Sequence, residues 1–207
     1  MAAGHVETAP HMGQVEFNGY LIEQMISEHE LHVITQRLAD EIYRDFKGKN
    51  LLLIGILKGA NLFLGDLARE LGRGNAEIGR PPMPVELDFL QVSSYEQQTS
   101  THNVRKHIDI STEIKDRDVL LVEDILDTGH TLTWIKEQLK DRDPKSLSVC
   151  VLLDKPERRE VFLKPEYTGK IIPNKFVIGS GLDFNQQFRN LPFVGVVIGP
   201  KSTAVAV

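Results

Sequence analysis

The chain is short of cysteine, of long apolar runs and of positive charge, and each shortage removes a class of protein. One cysteine in 207 residues, Cys150, leaves no disulfide framework and no cysteine-built zinc site. It points to a reducing, cytosolic setting, so the chain is expected to be cytoplasmic. Cys150 lies in the apolar run 147–153 with no cation beside it in sequence, and reads as a small strand residue in the core, not a nucleophile. No apolar run approaches the length of a bilayer span. The opening MAAGHVETAPHMGQ lacks the basic start and apolar stretch of a signal peptide. A formal net charge of -5 speaks against a nucleic-acid partner. There is no G-x-x-x-x-G-K-[ST] loop, and Gly179-Ser180-Gly181 lacks the third glycine and following helix of a dinucleotide fingerprint. Repeats and low-complexity segments are also missing.

What is present fits one domain. Hydrophobic residues make up 41% of the chain, enough for a substantial core. Residues 1–14, with His5 and His11, and residues 200–207 read as tails around a domain at 15–199. Leu31, Ile34, Leu38, Ile42 and Phe46 recur at helical spacing over 31–46. The run LLLIGIL at 51–57 predicts a strand buried on both faces, and NLFLGDLAREL at 61–71 a helix. Strands at 85–92 and 104–110 flank a polar tip, 93–103, of the kind found in loops and in functional lids. A strand at 118–122, a helix at 131–139 and a strand at 145–153 follow. Short strands are expected near 170–172, 176–179 and 191–198, in a small cap. Strands alternating with helices predict an α/β fold with a mostly parallel sheet and right-handed crossovers.

Ligands in such sheets sit beyond the carboxyl ends of the strands. One of those ends carries LLVEDILDTGHTL, residues 120–132. Asp127-Thr128-Gly129-His130-Thr131 would set backbone N–H groups and two hydroxyls at a helix N-terminus, where a phosphate monoester binds well. The bland alternative is an Asp127 or Thr128 N-cap followed by a turn glycine. Glu123 and Asp124 weigh against it, because paired acids at a strand end repel unless something uses them. Carboxylates accept from ribose hydroxyls and ligate Mg²⁺. Acids and anion loop together describe a ribose-5-phosphate site.

The segment VLLVEDILDTGHTL (119–132) resembles the signature of the type I phosphoribosyltransferases, which bind 5-phosphoribosyl-1-pyrophosphate (PRPP). LKG at 57–59, SSY at 93–95, LLDK at 152–155 and KFVIGSGLDFNQQFRNLP at 175–192 narrow the likeness to the hypoxanthine-guanine phosphoribosyltransferases. The resemblance implies that family's twisted, mostly parallel sheet flanked by helices, with a hood built from the N-terminal segment and residues around 156–190. It implies transfer of a phosphoribosyl group from PRPP to hypoxanthine or guanine, giving IMP or GMP and pyrophosphate, with Mg²⁺ as cofactor. Partners are then PRPP and 6-oxopurine bases, with no nucleic acid and no membrane, in a homodimer or homotetramer.

By the same resemblance, residues 123–131 hold the ribose and 5′-phosphate: Glu123, Asp124, Ile125, Asp127, Thr128, Gly129, His130 and Thr131. Asp127 matches the general base at purine N7. His130 stands at a variable position, where only its backbone is expected to serve. Lys155 matches the donor to the 6-oxo group, and Lys175, Phe176 and Val177 the rest of the base site, with the Phe176 ring stacking on the purine. Lys58, Gly59 and Arg189, with Arg159 nearby, match pyrophosphate positions, and the Leu57–Lys58 bond matches a cis peptide. Asp183, with Glu123 and Asp124, matches a metal ligand, and Ser94 and Tyr95 match the base of a lid. Ser180 departs from the tyrosine of many relatives, which implies a packing difference. A xanthine-preferring transferase and a regulatory RNA-binding protein on the same fold are the alternatives.

Overall fold

The computed structural model describes residues 13–95 and 103–200. The expected tails, apart from their inner ends, and the hairpin tip at 96–102 lie outside these residues. The chain opens with a hairpin, β1 (Gln14–Phe17) and β2 (Tyr20–Ile26), turned by Asn18-Gly19. Both turn residues have positive φ, the conformation that asparagine and glycine adopt most cheaply in a two-residue hairpin loop. Helix α1 (Glu28–Phe46) starts three residues earlier than its apolar spacing predicts. Ser27 and Glu30 form a reciprocal capping box there, so a polar turn is helical without contributing to the apolar stripe.

Strand β3 (Leu51–Leu57) comes next, followed by α2 (Asn61–Arg73). Leu51 and Leu53 join the cluster under α1 and α2, while Leu52, Ile54 and Ile56 join the opposite one. This period-2 division explains the unbroken apolar run: both faces are covered. Strands β4 (Glu86–Tyr95) and β5 (Asn103–Ile108) form the expected antiparallel hairpin. Then come β6 (Asp118–Leu126), α3 (His130–Lys140), β7 (Ser146–Asp154) and β8 (Tyr167–Ile171). The large sheet has the order β5-β4-β3-β6-β7-β8 and is parallel except for β5. Ile135 and Leu139 of α3 pack on the second face with Val149 and Val151. Cys150 is buried in the core, as expected, and burial pushes its thiol up. No helix among the described residues is long and apolar enough to cross a membrane.

A second sheet, ordered β1-β2-β10-β9, adds β9 (Val177–Ile178) and β10 (Val194–Pro200) to the N-terminal hairpin. Its core is Ile22, Ile178, Phe188, Leu191 and Phe193. Three expected boundaries need correction. Residues 167–171, assigned to the hood, form the edge of the large sheet, because β8 finds parallel partners on β7. The hood extends past residue 190, through β10. Gln14 and Pro200, assigned to tails, end the outer strands β1 and β10.

Replacing Ser27 with alanine removes one half of the capping box. The expected outcome is a loss of about 1 kcal/mol in stability, read from urea unfolding.

Candidate active site

Strand β6 runs on past Val122, so Glu123 and Asp124 lie on the strand and not after its end. Asp124 Oδ1 accepts from the Ile125 N–H at 2.8 Å, and Glu123 Oε1 accepts from the Asp124 N–H at 3.2 Å. The other Asp124 oxygen rests against the loop between β3 and α2. A methyl group on Gly59 would lie 1.8 Å from Asp124 Oδ2, and one on Gly181 would lie 2.0 Å from the Gly59 carbonyl oxygen. Three segments distant in sequence therefore meet where only hydrogen fits. Glu123 keeps an edge at the surface, but enough protein surrounds the pair that burial pushes both carboxyls up, Glu123 well above the ordinary range. The charge of Asp124 adds to the effect on Glu123.

Gly129, at φ +92°, is the N-cap of α3, and no side chain caps that helix. The N-cap reading of Asp127 or Thr128 thus fails. The opening N–H groups of α3 have no side-chain acceptor at the cap, which is the electrostatic setting for an anion. A short turn after β7 straps the loop from behind. Arg159 Nη1 donates to the Asp127 carbonyl and the Glu160 N–H to the Thr128 carbonyl, both at 3.0 Å. His130 Nε2 lies 2.8 Å from Glu160 Oε2, so its imidazole has a structural partner. A methyl on Gly129 would come within 2.8 Å of Val161 Cγ2.

Beside this loop, the ends of β6 and β7 bring Asp127 and Lys155 together. Lys155 is 6% exposed, and its backbone N–H donates to the Leu126 carbonyl at 3.0 Å. Its Nζ is 3.7 Å from Asp127 Oδ2. Asp127 Oδ1 accepts from Arg158 Nε at 3.0 Å. In the hood, Phe176 is 59% exposed and meets Phe184 edge-on at 5.9 Å, leaving a ring face open. Val177 is buried in β9, and Lys175 is exposed.

A cationic group lies on the Gly59 side. The Leu57–Lys58 bond is cis. Lys58 Nζ and Arg189 Nη2 both donate to Gln186 Oε1, at 3.2 and 3.3 Å. Arg189 also donates to the Gly181 carbonyl at 2.7 Å and pairs with Asp183 Oδ1 at 2.6 Å. Two cations aimed at one oxygen mark a place for an anionic oxygen. Sequence reasoning missed Gln186, because an exposed glutamine in a loop carries no pattern. It also missed Arg158. Arg159, expected with the pyrophosphate residues, bonds instead to the Asp127 carbonyl and the Asp154 carboxylate, because the turn after β7 carries it to the anion loop. Asp183 is not gathered with Glu123 and Asp124: among the described residues no three metal-ligating side chains converge. Ser94 and Tyr95 end β4, and their side chains lie outside the described residues. Ser180, at φ +49°, lines a separate groove of about 610 Å³ between α1 and α2.

Residues 24–185 match the family model of the phosphoribosyl transferase domain. The hypoxanthine phosphoribosyltransferase of Salmonella typhimurium is 40% identical over 182 residues, covering 86% of this chain and 97% of that protein. The hypoxanthine-guanine phosphoribosyltransferase of Lactococcus lactis is 41% identical over 174 residues, covering 84% and 89%. Among solved structures, the Trypanosoma cruzi hypoxanthine phosphoribosyltransferase in complex with the product IMP superimposes with a TM-score of 0.77 at 36% identity, over 91% of this chain and 99% of that one.

Glu123→Gln tests the buried acid pair. A carboxyl raised in the folded state ionises first in the unfolded chain. Stability is therefore full below the ordinary carboxylate range and is lost as pH rises through the raised value. The variant is expected to melt higher than the wild type at about pH 8, with the gap closing toward about pH 4, as read by calorimetry. Each kcal/mol relieved is worth roughly 2–4 °C at this size. Gly181→Ala is expected to abolish turnover, since its methyl group meets backbone that cannot swing away; a variant with wild-type rate would contradict the close approach.

Proposed function

The chain belongs to the phosphoribosyl transferase family, within its hypoxanthine phosphoribosyltransferase group, and from that premise we propose that it transfers the 5-phosphoribosyl group of PRPP to N9 of hypoxanthine or guanine. The products are IMP or GMP and pyrophosphate. The observation that carries the reading is the pairing of Asp127 Oδ2 with the buried Lys155 Nζ, 3.7 Å apart, beside the uncapped N-terminus of α3. An acceptor and a donor side by side complement the N7–H and the 6-oxo group, which are neighbours on one edge of a 6-oxopurine. Adenine would set its 6-amino donor against the lysine.

In this reading the N–H groups of residues 129–131 and the hydroxyls of Thr128 and Thr131 hold the 5′-phosphate. Glu123 and Asp124 accept from the ribose hydroxyls. The exposed face of Phe176 packs on the purine. N9 forms its bond to C1′ as the bond from C1′ to the pyrophosphate oxygen breaks, and the electron pair leaves with pyrophosphate. Asp127 takes the N7 proton in the same process. Lys58 and Arg189 receive the leaving group's charge once Gln186 gives up its place between them.

Mg²⁺ fits the hard oxygens of Glu123 and Asp124, a buried acid pair that a cation would relieve. Among the described residues no third ligand joins them, so such an ion would keep waters and share the substrate's phosphates. When bound, it would supply further neutralisation of the pyrophosphate charge. Asp183 is already engaged with Arg189 and the Gln186 N–H, and would share in holding such an ion only by giving up one of these contacts.

The test is an assay of the purified protein with PRPP, Mg²⁺ and each of hypoxanthine, guanine, xanthine and adenine, with nucleotides separated by chromatography. Turnover is expected with hypoxanthine or guanine and not with adenine. Failure with every 6-oxopurine overturns the reading, and xanthine as the best substrate changes its specificity. Asp127→Asn is expected to slow the single-turnover rate on the order of 10²–10⁴-fold, with PRPP affinity changed little.

A further inference from the structure

Resting on the reading of Asp127 as the base, we propose that Arg158 is its positioning residue. Arg158 holds one carboxylate oxygen so that the other faces the purine. Asp127 sits with its side chain 42% accessible, and the carboxylate torsion of an aspartate is broad and two-fold. Left alone, its two oxygens exchange places, and neither is fixed toward a substrate. Arg158 Nε–H donates to Oδ1 at 3.0 Å, which ends that freedom. Oδ2 is then turned toward Lys155 Nζ at 3.7 Å, within ion-pair range but beyond hydrogen-bond distance, so both can still bond a substrate placed between them.

The chain builds this clamp from both directions. Pro156 starts the turn at 156–158, and the Arg158 N–H donates to the Lys155 carbonyl at 3.0 Å. The turn fixes where the arginine emerges relative to Lys155. The next residue, Arg159, bonds the Asp127 carbonyl, so one turn grips the aspartate by its main chain and by its side chain. An arginine Nε–H is a directional donor in a planar group, which an ammonium does not reproduce. As a stabilising contact alone the pair would count for little, since Arg158 is itself 45% accessible and such surface pairs contribute little. Its effect belongs to geometry at the reacting atom, where small misplacements are costly.

The experiment compares Arg158→Ala, Arg158→Lys, Asp127→Asn and the double variant Arg158→Ala/Asp127→Asn. The readouts are single-turnover rate, KM for PRPP and melting temperature. Arg158→Ala is expected to slow the single-turnover rate on the order of 10- to 100-fold, with PRPP KM and melting temperature near wild type. Arg158→Lys restores part of the loss. In the Asp127→Asn background, Arg158→Ala costs little more, because there is no base left to orient. Equal losses in the two backgrounds overturn the proposal. So does a raised PRPP KM at unchanged rate, which would make Arg158 a phosphate ligand. A wild-type rate for Arg158→Ala while Asp127→Asn is slow overturns the role of Arg158 alone; a wild-type rate for Asp127→Asn overturns the base reading and this role with it.

Discussion

The contact at Gly59 governs the site. An Asp124 oxygen lies against its α-carbon, and Gly181 lies against its carbonyl. The first approach ties the acid pair on β6 to the turn after β3. The second ties that turn to the hood. Neither contact tolerates a Cβ, and the Gly59–Gly181 contact is main chain on main chain, so the approach of the second sheet to this turn is set by backbone. The cations follow from it. Arg189 bonds the Gly181 carbonyl, and Lys58 is the residue next to Gly59, so both reach Gln186 from fixed points.

Two cradles result, and they differ in how they are held. The anion loop at 127–131 is strapped through its carbonyls by Arg159 and Glu160, which leaves its N–H side outward. The cationic group is held by side chains meeting side chains, and a neutral amide occupies its centre. The first is held through its main chain. The second rests on an exchangeable amide acceptor, and an anionic oxygen is a stronger partner for lysine and arginine than an amide oxygen. The buried acids lie between the two, at a point where their proton affinity is already raised by burial.

The sequence revealed the parts whose signals are local. LLLIGIL is a strand because both its faces are covered, and the run of apolar residues states that directly. Asp127 to Thr131 is legible because a glycine and two hydroxyls stand together directly before a helix. Long-range pairings left no such trace. Residues 167–171 (YTGKI) carry little apolar pattern of their own, and only their register with β7 decides where they go. The hood joins β2 to β10 across most of the chain, which no periodicity records. Arg158 and Arg159 are adjacent and alike in composition, yet one takes the side chain of Asp127 and the other its carbonyl. The sequence resemblance singled out Lys155 and Phe176, which composition alone would have left as a buried lysine and a surface aromatic.

The pairing of β2 with β10 also orders events during synthesis. The strands and helices of the large sheet are complete once residue 171 has been made, and domains fold as their sequence emerges. The hood cannot close until residues 194–200 have left the ribosome, because among the described residues β2 of the N-terminal hairpin finds its further partner only in β10. Gly181 meets Gly59 only through that late closure. A nascent chain can therefore hold a folded large sheet while the segment that carries Gly181 and Arg189 is still unplaced, and that part is assembled last.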